Sequence, residues 1–130
     1  MTPTFLRAGI ALALILAFGP TALAFNGNPE NGKRLFMQKG PSGKACMTCH
    51  PKGLTTGETY KGKDIPDLTE GPIAEAKLRK KTLKFLEVQG LQLSPAELED
   101  LLTFEAGLPS KGFGPVPAAW QGYVRSKLGE

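Results

Sequence analysis

The two cysteines and the single histidine of this 130-residue chain lie within five consecutive positions, Cys46-Met47-Thr48-Cys49-His50. Random placement of those three residues would give this spacing on the order of once in 10,000 trials, so chance is a poor account of it. Whatever the chain binds through sulfur or imidazole, it binds at one turn. A structural zinc site needs four ligands, and no further Cys or His exists. A thioredoxin-like pair needs a preceding strand and a βαβ context, which the surrounding sequence does not supply. A C-x-x-C disulfide in an exported protein leaves His50 unexplained.

The reading that uses all three residues is C-x-x-C-H haem attachment. Two thiols three positions apart on one helical turn each form a thioether with a haem vinyl group. The imidazole beside the second thiol then reaches the iron. Cys46 and Cys49 are therefore read as the attachment points of one covalent haem c. His50 is read as its proximal iron ligand and so as the metal-binding residue. A tethered cofactor also suits a chain of this size, whose own apolar core is modest.

Export fits the same chemistry, because the thiols must meet haem outside the cytoplasm. Residues 1–24 read as a signal peptide. One positive charge, Arg7, precedes the apolar run Ala8 to Phe18. Gly19-Pro20 breaks that run, and Ala22-Leu23-Ala24 is an A-x-A cleavage site. The run is short beside the roughly 20 residues that span a bilayer. A periplasmic location is expected, with membrane attachment only if the segment stays uncleaved.

The rest reads as one all-α domain with long irregular connections, consistent with 16 Gly and 11 Pro. Asn28 caps a first helix that opens at Pro29 and is ended by Gly40-Pro41. Residues 51–71 show neither helical nor alternating periodicity and read as an ordered loop. A second helical stretch runs from Pro72 to about Gln89, either as one helix or as two with a bend near Lys81-Thr82. Ser94, Pro95 and Glu97 form the capping box of a third helix, closed by Gly107. Residues 108–117 read as a Gly/Pro-rich linker, followed by a short amphipathic helix, Ala118 to Leu128, carrying Trp120, Tyr123, Val124 and Leu128.

With these residues in place, the chain resembles a class I (mitochondrial-type) monohaem cytochrome c over residues 26–107. Gly32-Lys33-Arg34-Leu35-Phe36 resembles that family's N-terminal helix, and Phe36 its aromatic near the haem edge. Ile65-Pro66-Asp67-Leu68-Thr69 resembles its P-D-L-T stretch. Leu93 to Glu105 resembles its C-terminal helix, which packs on the N-terminal one. The resemblance implies a small cytochrome c-like helical domain, residues 25–107, around one haem. Residues 108–130 form an extension outside it.

One departure matters. The family's distal Met comes from the loop before the C-terminal helix, and here residues 87–93 contain none. Past the leader only Met37 and Met47 are present. Met47 sits inside the motif and is badly placed for the distal face. The distal position is thus open or water-bound, or is held by Met37, Gln89, Gln92, a lysine or a residue of the extension. Loss of Met ligation lowers the potential or opens the iron to small ligands.

The formal charge of +4 is mild for a nucleic-acid binder, and no nucleic-acid partner is expected. Lys39, Lys44 and Lys52 flank the motif and suit docking to an acidic redox protein. Lys77, Arg79, Lys80, Lys81 and Lys84 read as a solvated helix face. The expected function is single-electron transfer between periplasmic redox partners, without an enzymatic reaction of its own. Two alternatives are a gas-binding haem protein with an open distal site and a haem subunit of a larger periplasmic oxidoreductase.

Overall fold

The computed structural model describes residues 25–130, so the signal-peptide reading of residues 1–24 lies outside the described residues. The described chain is mostly helical, with one small hairpin. Helix α1 spans Pro29–Phe36, α2 Cys46–Cys49, α3 Glu75–Gln89, α4 Pro95–Lys111 and α5 Ala118–Leu128. Among the described residues no helix is long and apolar enough to cross a membrane.

Local chemistry sets the helix starts. The Asn28 side chain accepts from the Glu30 and Asn31 amides at 2.9 and 3.3 Å, and Pro29 takes the first helical position. The Ser94 hydroxyl accepts from the Glu97 amide at 3.1 Å, while the Glu97 carboxylate accepts from the Ser94 amide at 3.0 Å. Helix α1 stops at Phe36, earlier than Gly40-Pro41, because the chain turns through Met37 to bring Gly40 against the Gln89 carbonyl.

The packed centre of the fold is the contact of α1 with α4. Gly32 makes it possible: a Cβ there would lie 2.0 Å from the Asp100 carbonyl oxygen. Asp100 answers with its side chain, accepting from the Asn28 amide and the Asn31 side-chain amide at 2.7 Å each. Phe36, Phe104 and Phe113 close this region with ring centroids 5.4 to 6.0 Å apart.

Four further expectations change. Helix α4 does not close at Gly107 but runs through Pro109 to Lys111. Leu108 continues the buried face begun by Leu101, and that burial outweighs the helix-breaking tendency of Gly107 and Pro109. The stretch after it is no free linker, because Phe113 is buried among the aromatics. Helix α3 begins at Glu75 rather than Pro72 and is a single helix ended by left-handed Gly90. The 51–71 segment contains a hairpin, β1 Thr59–Tyr60 pairing antiparallel with β2 Lys63–Asp64. Lys61 and Gly62 both have positive φ, the backbone that a tight two-residue hairpin turn requires.

Candidate functional site

Helix α2 is one turn long and carries the motif. The Thr48 hydroxyl accepts from the Ala45 amide at 2.9 Å, and the His50 amide donates to the Cys46 carbonyl at 2.9 Å. This turn places Cys46 and Cys49 on the same side, and both are free thiols. Cys46, Cys49 and His50 all line one cleft of about 780 Å³. That volume is within the range of cofactor sites. The sequence-predicted trio is therefore brought together on a single wall.

The rest of the cleft comes from four segments. Phe36 contributes from α1. Ile65, Pro66 and Leu68 contribute from the segment after the hairpin. Leu78, Thr82 and Phe85 from α3 and Glu105 from α4 complete it. The lining is mostly apolar, with cations at the mouth: Lys61 and Lys63 of the hairpin, and Lys77, Lys81 and Lys84 of α3. The α3 lysines are exposed, as a solvated face requires, but they also border the cleft.

The electrostatics of the motif follow from burial. The His50 imidazole is mostly withdrawn from water, which lowers its pKa and favours the neutral ring. The Leu54 and Pro66 carbonyls oppose that shift. Nδ1 lies 3.3 Å from the Leu54 carbonyl, and the neutral tautomer with its proton on Nδ1 satisfies that oxygen and leaves Nε2 its lone pair. Burial raises the Cys46 thiol well above its ordinary value, and the nearby Glu105 carboxylate adds to the rise. Burial also raises Cys49, against the pull of Lys44.

Several residues singled out in the sequence lie off the cleft. Gln89 is fully buried and engaged: its Nε2 donates to the Lys44 carbonyl at 2.9 Å and reaches the Gln38 carbonyl at 3.4 Å. Its Oε1 lies 3.9 Å from Cys46 Sγ, so it braces the loop entering α2. Gln92 is exposed, and neither residue lines the cleft. Met37 packs on the core away from the lining set. Met47 is fully buried, its sulfur accepting from the Lys52 amide at 3.3 Å. Lys39 and Lys44 cover Trp120 and Tyr60, and Lys52 pairs with Glu130 at 3.4 Å. None of these three lines the cleft.

Two features go beyond what the sequence indicated. The first is Glu105, buried with Thr82 against the cleft. Its place was readable from spacing, since Leu101, Leu102, Glu105 and Leu108 recur at helical intervals on one face. The second is the extension. Helix α5 returns to the motif: Tyr123 donates its hydroxyl to the Thr48 carbonyl, Val124 is buried, and Lys127 pairs with Glu58 at 3.5 Å. Nothing in the local sequence of residues 118–128 signals that long-range bond.

Compared with protein-family models, with curated proteins and with solved structures, the chain matches none.

Proposed function

We propose that this chain is an exported monohaem c-type cytochrome that carries single electrons between redox partners outside the cytoplasm. The observation that carries the reading is the convergence of Cys46, Cys49 and His50 on one largely apolar cleft. The residues fit the group on three counts. Both thiols are free to form thioethers. The imidazole is held by a backbone carbonyl through Nδ1, which leaves Nε2 to ligate. The cleft has the volume of a cofactor site and no self-contained packing of its own.

Haem bound there would supply a one-electron iron couple, and the chain's residues would set its surroundings. Cys46 and Cys49 tether it. His50 ligates the iron, and the Leu54 carbonyl fixes the ring. Leu68, Leu78 and Phe85 limit water around the site. The five lysines lining the cleft outnumber the three carboxylates of Asp64, Asp67 and Glu70 and favour an acidic redox partner over a basic one.

A second reading, a haem protein binding a small gas ligand, is favoured by one observation. Met37, Gln89 and Gln92 are all off the cleft, so three of the candidate distal donors are out of place.

The test is a denaturing gel stained for haem peroxidase activity, using protein made in a host that matures c-type cytochromes. Wild type gives a stained band, and Cys46→Ala with Cys49→Ala gives none. His50→Ala matures poorly and loses normal iron ligation, because the chain has no second imidazole. An unstained wild-type band ends the reading. Carbon monoxide binding by the ferrous protein then separates the two functions: strong binding favours the gas ligand, weak binding electron transfer.

A further inference from the structure

Glu105 is the buried charge that the attachment site does not use. Its residue is 7% exposed, in the middle of α4, yet it lines the cleft. Among the described residues no cation lies within ion-pair distance of it. Its one side-chain partner is the Thr82 hydroxyl, which donates at 3.1 Å to Oε2 and lies 3.3 Å from Oε1. A carboxylate in that position is poorly compensated, since a single neutral hydroxyl replaces its hydration.

We infer that Glu105 is a proton-binding site coupled to the redox centre, so that one-electron reduction in the cleft draws a proton from water onto its carboxylate. The inference rests on the cytochrome reading above. Adding an electron makes the cleft more negative by one charge. In a low-dielectric cleft that change acts strongly on any titratable group lining it. The step balances simply. A one-electron donor protein supplies the electron to the iron. Water supplies the proton, and one O–H bond forms at Glu105. Reoxidation by an acceptor protein returns both.

The neighbours on each packed element fit this role. Helix α1 presents only Phe36 to the cleft, with no charge. Helix α2 and its C-cap present Cys46, Cys49 and His50, which become thioethers and an iron ligand in the holoprotein. Helix α3 presents neutral Thr82, with Lys77, Lys81 and Lys84 further out. The 60–70 segment contributes Tyr60, Lys61 and Lys63, with the three carboxylates of Asp64, Asp67 and Glu70. None of these lysines reaches the carboxylate as an ion pair. Burial pushes Glu105 up to about 8, against the opposing Thr82 bond, so its proton is exchangeable near neutral pH.

The experiment is the reduction potential of the holoprotein as a function of pH, for wild type, Glu105→Gln and Thr82→Val. Wild type should show a segment in which the reduction equilibrium changes tenfold per pH unit, about 59 mV for one electron. Glu105→Gln should be level through that segment. Thr82→Val, which removes the bond favouring the carboxylate, should move the segment to higher pH. Reduced-minus-oxidised infrared spectra of wild type should show a protonated carboxyl band appearing on reduction, absent in Glu105→Gln. A haem-loaded wild type with a pH-independent potential overturns the inference and leaves the cytochrome reading intact. So does a slope unchanged in both variants. A wild type with no covalent haem overturns both together.

Discussion

The two sides of this small fold solve packing differently. Where α1 meets α4, the chain fills space with its own atoms. Gly32 lets the backbones touch, Asp100 ties the incoming segment, and three phenylalanines close the remaining volume. Across the molecule, the motif turn, the 60–73 segment and α3 stand around a cleft of about 780 Å³. That side has apolar walls but no side chains between them. The contrast teaches that one half of the fold is closed by its own side chains, while the other leaves a cleft with largely apolar walls. Phe36 belongs to both, packing on Phe104 and lining the cleft.

Phe36→Ala should therefore do the most damage, about 3–5 kcal/mol of stability, and it should also alter the visible spectrum of the holoprotein. Denaturant melts and absorbance read the two effects. A spectrum identical to wild type would separate the two sides where the account joins them. Gly32→Ala acts on the packed side alone. Its Cβ meets backbone, which cannot swing away, so a loss of about 3 kcal/mol is expected, with the spectrum of the folded fraction unchanged. A spectral change on that substitution would show that the two sides are not separable.

The cleft side carries a pH dependence that reaches neutral pH, whereas on the packed side the Asn28 and Asn31 bonds hold the Asp100 carboxyl below its ordinary value and matter only in acid. The folded chain keeps the Glu105 proton to about pH 8, whereas the ordinary carboxyl value is 4.5. The folded state thus binds more protons than the unfolded state between those values. Its contribution to stability is full below about 4.5, declines as pH rises to about 8 and is level beyond. The slope is at most about 1.4 kcal/mol per pH unit. The difference between wild type and Glu105→Gln, measured by melts across that range, should show it. A difference that does not vary with pH would mean that Glu105 folds as a carboxylate. Tyr123→Phe should be the mildest change, about 1 kcal/mol, because it removes one hydrogen bond from α5 to the motif turn. A loss of that size on melting would confirm that the extension is docked, and no loss would contradict it.

Much of the packed side was legible because its determinants are local. Asn28, Pro29, Ser94 and Glu97 announce two helix starts through side-chain to backbone bonds three residues or fewer away. The end of α4 was not legible, since it depends on Leu108 and Phe113 being buried by distant segments. The hairpin escaped because Lys61-Gly62 carries a turn conformation that its first residue rarely adopts. That Cys46, Cys49 and His50 sit together was legible from their spacing alone. Gln89 was not, because its role as a brace depends on partners more than 40 positions away. Glu105 was readable on the apolar face of α4, but only the fold shows that this face meets the cleft.

The central claim is that the cleft is completed by a covalently attached haem. The direct measurement is the intact mass of the purified chain under denaturing, reducing conditions, after expression in a host that demonstrably matures another c-type cytochrome. The account predicts a polypeptide heavier by one haem, with neither Cys46 nor Cys49 reacting with a thiol reagent. A polypeptide of bare mass with two reactive thiols would contradict it.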